Sequence, residues 1–231
     1  MPSDSFSFKR FKIFQDQCAM KVGTDGVLLG AWASGGRRIL DVGTGTGLIA
    51  LMMAQRFENT EVTGIEIDGT AARQASQNSL NSPFAERVRI REIALRDFYE
   101  ECKEKGQKFD SIVCNPPFYE NSLGSKNISR TLARSTETLP FGELMACCGK
   151  LLSGPQATLS LIIPVEARNR MEQEAALVML RLSRTCLVRT KQSKPPKRCL
   201  MEFSPNPKTF SSKDLVIGSE EYEDLTREFY L

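Results

Sequence analysis

Short apolar runs alternate with longer stretches of helical period over the first two thirds of the chain. Residues 38–43 (RILDVG) and 61–66 (EVTGIE) read as strands, and 87–91 (RVRIR) alternates with period two. Residues 109–114 (FDSIVC) and 157–163 (ATLSLII) add two more strands. Between and after them, 48–55 (LIALMMAQ), 69–80, 141–152 and 167–180 carry helix patterns. Strand followed by helix, repeated, predicts an α/β chain with a mainly parallel, doubly wound sheet. The last third changes character. Residues 182–190 and 198–203 predict two strands joined by a Lys/Pro loop, and 215–217 a third. This pattern predicts antiparallel strands that complete one edge. No repeat or linker interrupts the chain, so 1–231 is expected to form a single domain. Residues 119–138 are polar and without period, as expected of a long functional loop.

Composition narrows the classes. The 231 residues can bury a core without disulfide or metal staples. With 41% hydrophobic and 26% charged residues and a net charge of +3, the chain is an ordinary globular sequence. Disordered, collagenous and coiled-coil classes are excluded, and no apolar run is long enough to span a membrane. The first residues lack a basic stretch followed by an apolar one, so a cytoplasmic location is expected. There is no histidine. Catalysis by Ser–His or Cys–His pairs and His-ligated zinc are therefore excluded. Seven cysteines form no CxxC pair and read as reduced, buried thiols. Cys147 and Cys148, like Met52 and Met53, read as helix packing.

Three segments carry chemistry. Asp41-Val42-Gly43-Thr44-Gly45-Thr46-Gly47 closes one strand and opens a helix. Glycines at alternate positions let the backbone turn tightly and approach a ligand. The spacing differs from the dinucleotide GxGxxG. Asp41 would repel a pyrophosphate and suits a cationic amino group. Glu66 ends the next strand, where a carboxylate can accept both ribose hydroxyls of a nucleoside; Asp68 reads as a helix cap. Glycine loop and Glu66 together suggest a nucleoside cofactor without phosphates. They resemble the motifs of Rossmann-like S-adenosylmethionine-dependent methyltransferases. The third segment, Asn115-Pro116-Pro117-Phe118, follows the fourth strand. The Asn115 side-chain carbonyl and the Pro116 carbonyl can accept both hydrogens of an NH2 group, and Phe118 can stack on a planar substrate. This tetrapeptide resembles that of amino-methyltransferases acting on adenine N6, guanine N2 or glutamine N5. No metal is called for.

Residues 8–32 (FKRFKIFQDQCAMKVGTDGVLLGAW) resemble the bacterial tRNA(Val) N6-methyladenosine transferase family. So do Asn115 to Phe118, Ala133-Arg134, Lys194-Pro195-Pro196-Lys197-Arg198 and the terminal Glu228-Phe229-Tyr230-Leu231. The resemblance spans nearly the whole chain. It implies S-adenosyl-L-methionine as cofactor and adenine 37, beside the anticodon of tRNA(Val), as target. It also implies that residues 1–35 close the cofactor and substrate site. Lys21, Thr24 and Asp25 would then lie at the methionine end of the cofactor, with a helix cap at Thr24 or Asp25 as the simpler alternative. The acidic residue that related enzymes carry after the third strand is replaced here by Ala94. Leu95 would lie against the adenine face, and Asp97 could reach in.

Guanine-N2 and glutamine-N5 methyl transfer remain the alternatives, although relatives of those kinds usually carry extra domains not seen here; a non-catalytic RNA binder on the same fold is a third. From 181 to 213 there are nine Lys or Arg and one acid, Glu202, followed by an acidic tail. Such a strip suits a phosphate-contacting edge. Arg130, Arg134, Lys191, Lys194, Lys197 and Arg198 are the candidate contacts to the tRNA anticodon loop, with Lys9, Arg10 and Lys12 as additions. DNA and membrane partners are not expected, and a monomer is the simpler expectation. Trp32 reads as packing under the glycine loop.

Overall fold

A computed structural model describes residues 4–18, 21–117 and 139–231. Chain order begins with two short strands, β1 (Ser5–Ser7) and β2 (Lys12–Phe14), and helix α1 (Thr24–Trp32). Five strand–helix units follow: β3 (Arg38–Val42) and α2 (Leu48–Arg56), β4 (Glu61–Glu66) and α3 (Gly69–Leu80), β5 (Val88–Glu92) and α4 (Leu95–Lys105), β6 (Ser111–Cys114) and α5 (Phe141–Leu151), β7 (Thr158–Pro164) and α6 (Arg168–Leu177). The chain ends with β8 (Arg181–Arg189), β9 (Arg198–Ser204), β10 (Ser211–Val216) and α7 (Glu220–Thr226).

The main sheet has eight strands in the order β10-β8-β9-β7-β6-β3-β4-β5. Strands β3 to β7 are parallel, and β9 runs antiparallel to both β7 and β8. The last strand departs from expectation: β10 is longer than the run at 215–217 and lies parallel to β8. Its first four residues, Ser211 to Asp214, are exposed on the sheet edge, so apolar content could not announce them.

Alternation along the central strands builds two cores, one on each face of the sheet. Ile39, Val62, Val113 and Ile162 pack with α1, α2 and α7. Their neighbours Leu40, Ile112 and Leu161 pack with α4, α5 and α6. Met52 and Met53 are fully buried, and all seven cysteines are buried and unbridged. Helix α1 lies parallel to α2 in close contact. A Cβ at Gly26 would stand 3.0 Å from Leu48, and one at Gly30 only 2.7 Å from the Met52 sulfur. Trp32 therefore sits at the Arg56 end of α2, remote from the glycine loop. Its ring is covered by the Arg184 guanidinium at 3.8 Å, not by that loop.

The N-terminal hairpin packs on α3. The C-terminus closes over it, with Lys9 N–H donating to the Phe229 carbonyl at 2.9 Å and Phe8 stacked on Tyr230. Among the described residues no helix is long and apolar enough to cross a membrane.

Candidate cofactor and substrate site

The registers bring the candidate residues to one edge. Val42 pairs with Ile65 on one side and Cys114 on the other, and Glu66 pairs with Glu92. The residues that follow leave the ladder together: Gly43 after β3, Ile67 after β4, Ile93 after β5 and Asn115 after β6. Connections run one way from β3 to β4 and β5, and the other way through β6 and β7. The crevice between β3 and β6 is therefore the topological switch point, where open α/β sheets bind ligands.

Gly43 and Gly45 hold φ of +68° and +56°, which L side chains rarely adopt. A Cβ on either would meet nothing within 4 Å, so the loop faces open space. The backbone is pinned from below. Gly43 and Thr44 N–H groups donate to the Ile65 carbonyl at 2.9 and 3.0 Å, and Gly45 N–H donates to Glu66 Oε2 at 2.9 Å. Glu66 Oε1 accepts from the N–H groups of Ile67 and Asp68 at 2.9 and 3.0 Å. The carboxylate is thus fixed in orientation with lone pairs to spare. Asp68 caps α3, accepting from Thr70 and Ala71.

Asp41 is fully buried beneath this loop. Its Oδ2 accepts from the Thr44 hydroxyl at 2.6 Å and from Ala50 N–H at 3.1 Å. Its Oδ1 has no hydrogen-bond partner among the described residues. Burial pushes its carboxyl up to about 7 from an ordinary 3.8. An orphaned buried carboxylate oxygen under an open glycine cradle fits a ligand that brings a cationic group. Because the folded value lies above the unfolded one, the proton stabilises the fold fully below about pH 4. That contribution is lost as pH rises towards 7. Relative to Asp41→Asn, the wild type should lose up to about 1.4 kcal/mol per pH unit across that window. Thermal unfolding of both proteins from pH 5 to 8 checks this; parallel curves would show that Asp41 does not titrate there.

Asn115 is half-buried, Pro116 buried and Pro117 half-buried at the mouth of the crevice. Phe118, Arg130 and Arg134 lie outside the described residues, as does the rest of 119–138. Leu95 is buried at the start of α4, in the second core. Asp97 is exposed in the first turn of α4. The apolar side chain standing open beside Glu66 is Ile67, 56% exposed. Its sequence signal is an apolar residue directly following a strand-end acid.

Lys21 and Thr24 are exposed and Asp25 half-buried. Neither Thr24 nor Asp25 caps α1. The N-cap is Gly23, which makes no side-chain cap bond. Asp25 instead pairs with Arg198 at 2.7 Å. The Lys/Pro loop lies at the same carboxyl edge, because β9 starts where β7 ends and Pro164 pairs with Arg198. The Arg189 guanidinium holds it, bonding the Lys194 carbonyl at 2.9 Å and Asp214 at 3.0 Å. Lys191, Lys194 and Lys197 are exposed and make no ion pair among the described residues. Lys9, Arg10 and Lys12 are used locally, against the Arg227 carbonyl, Phe84 and Phe14 respectively. A groove of about 1030 Å³ lined by Arg37, Phe57, Thr60 and Arg87 lies at the opposite edge and holds none of the candidate residues.

Residues 22–162 match the family described as the methyltransferase small domain. A tRNA1(Val) (adenine(37)-N6)-methyltransferase from Porphyromonas gingivalis is 46% identical over 100% of this chain and 96% of its own length. The protein of that name from Actinobacillus succinogenes is 43% identical over 99% of this chain and 98% of its own. The chain belongs to the tRNA1(Val) (adenine(37)-N6)-methyltransferase family. Solved structures agree on the fold. A predicted O-methyltransferase from Agrobacterium tumefaciens superposes with a TM-score of 0.66 at 21% identity, covering 89% of this chain and 96% of its own. A putative methyltransferase solved with S-adenosylhomocysteine gives 0.61 at 9% identity, covering 88% of this chain and 57% of its own. In this tRNA1(Val) methyltransferase-family chain, the glycine loop, Glu66 and Asn115 stand at the carboxyl edge of the sheet, at its topological switch point.

Proposed function

We propose that this protein transfers a methyl group from S-adenosyl-L-methionine to the N6 amino group of adenine 37 in tRNA(Val). The observation that carries the reading is the shared exit of Gly43 and Asn115 from adjacent strands, within a full-length match to the family. It sets the glycine cradle and the amino-group acceptors next to each other.

S-adenosylmethionine supplies a methyl group already activated by its sulfonium. Glu66 would hold the ribose hydroxyls, and the glycine loop would let the backbone approach. Asp41 beneath the loop would give up its raised proton and answer the amino end as a carboxylate once that cation is bound, with Lys21, Thr24 and Asp25 on the other flank. Asn115 and Pro116 carbonyls accept the two N6 hydrogens. This favours a more pyramidal, more nucleophilic nitrogen and aims its lone pair at the methyl carbon, so catalysis is orientation plus electrostatics. The proton is shed to solvent after transfer, and no histidine is needed. Phe118 would stack on the adenine, which must be splayed from its neighbours to reach the crevice. Lys191, Lys194 and Lys197 contact phosphates of the anticodon arm. Arg130 and Arg134 extend the same set.

Incubation of the protein with labelled S-adenosylmethionine and unmodified bulk tRNA should give N6-methyladenosine on nucleoside mass spectrometry. N2-methylguanosine would replace the substrate. Labelled release factor with unlabelled RNA would turn the reading to glutamine.

A further inference from the structure

We propose that Arg198 is a positioning residue for the cofactor crevice, acting through Asp25, and that it ties this crevice to the basic loop. The inference rests on the methyltransferase reading and deepens it.

The described residues between β2 and α1 are held at both ends, and Val22 N–H also donates to Gln15 Oε1 at 2.7 Å. Their near end is held on α3. Asn78, fully buried, accepts from Phe14 N–H at 2.9 Å and donates to the Phe14 carbonyl at 2.9 Å. The same amide donates to the Thr46 carbonyl of the glycine loop at 2.9 Å. Gln74 accepts from Gln17 N–H at 3.0 Å. The far end is the first turn of α1, where Asp25 takes the Arg198 Nε at 2.7 Å. Helix α3 follows β4, on one side of the switch point; Arg198 opens β9, on the other, beyond β7. The two anchors therefore straddle the crevice between β3 and β6.

Asp25 is well placed to act. Gly26, its neighbour, packs against Leu48 at the end of the glycine loop. No side chain caps α1, and Asp25–Arg198 is its one ion pair among the described residues. Both side chains are about a third exposed, so the pair adds little to stability. Its consequence is orientation. On the other side of Arg198, the Lys197 carbonyl accepts from Val165 N–H at 3.3 Å while the Lys197 amine faces solvent. A phosphate held by the loop lysines thus loads the strand end that carries Arg198.

The test is S-adenosylhomocysteine affinity by calorimetry and tRNA affinity against salt, for wild type, Arg198→Gln, Asp25→Asn, the double variant and Lys197→Gln. Each single change at the pair should weaken S-adenosylhomocysteine about fivefold, and the double should be no weaker than either single. Unfolding midpoints should stay within about 2 °C of wild type. Lys197→Gln should lower the salt slope for tRNA by about 1, while Arg198→Gln leaves it unchanged. Wild-type S-adenosylhomocysteine affinity in Arg198→Gln with a reduced salt slope would make Arg198 a phosphate contact and overturn the proposal. Additive losses in the double variant would overturn it too. If the pair behaves as expected but no tRNA is methylated, the positioning role stands and the substrate reading falls.

Discussion

Asn115→Ala should lose about a hundredfold to a thousandfold in kcat while keeping wild-type affinity for S-adenosylhomocysteine, the cost of removing one preorganised polar group at a reacting centre. Asn115 leaves β6 one step past the Val42–Cys114 pair. Its backbone is stiffened by Pro116 and Pro117, and neither the glycine loop nor Glu66 takes a bond from it. The change should therefore spare the cofactor cradle. Asn115→Asp keeps a side-chain acceptor oxygen beside the Pro116 carbonyl and should fall between the two. Single-turnover methyl transfer and calorimetry on the same preparations separate the steps. Equal turnover in wild type and Asn115→Ala would refute the two-acceptor grip. Joint loss of turnover and cofactor affinity would make Asn115 a structural part of the crevice.

Gly45→Arg should weaken S-adenosylhomocysteine by more than about a hundredfold. Gly45 has φ of +56° and open space where a Cβ would project. A side chain there adopts a strained backbone at about 1–2 kcal/mol and fills the space a ligand needs. The milder Gly45→Ala should weaken binding as well, by strain and by its single methyl. Folding should survive, since the loop remains pinned by Ile65 and Glu66. Isothermal calorimetry with a thermal-unfolding control reads both effects. Undiminished binding in Gly45→Arg would remove the glycine loop from the cofactor site.

The parallel core was legible because each strand is short, apolar and flanked by a helix pattern. Helix α3 is found at the expected 69–80, and α2 extends the expected run by one residue. Elements whose apolar signal is thin escaped. The β1–β2 hairpin alternates in Ser5-Phe6-Ser7 but not in Lys12-Ile13-Phe14, and each strand is three residues long. Helix α4 buries only Leu95, Phe98 and Cys102. That i, i+3, i+7 spacing was visible, though seven of its eleven residues are polar or charged. Helix α7 is announced by Ser219 and the acids behind it, a capped N-terminus with only Tyr222 and Leu225 as apolar contacts to the core.

The site divides in the same way. Residues whose position follows from the backbone were legible: the glycines, Glu66 at a strand end, and Asn115 before two prolines. Residues whose role depends on distant partners were not. Nothing near Arg198 in sequence shows that Asp25 will take its guanidinium across the fold. Likewise Glu202, the one acid in the basic strip, is buried and holds Arg184 at 2.8 Å together with Ser160 at 3.0 Å. Charge counting alone treats Arg184 and Arg198 as surface cations; in the fold each pairs with a carboxylate. The lysines of the loop, shorter of partners, keep their charge for solvent or RNA.

The most direct measurement compares two tRNA1(Val) transcripts, one with adenine 37 and one with guanine there, incubated with the protein and S-adenosylmethionine and analysed by nucleoside mass spectrometry. N6-methyladenosine in the first and none in the second is the predicted result. Methylation of both transcripts, N2-methylguanosine in the second, or no methyl transfer to the first would contradict the account.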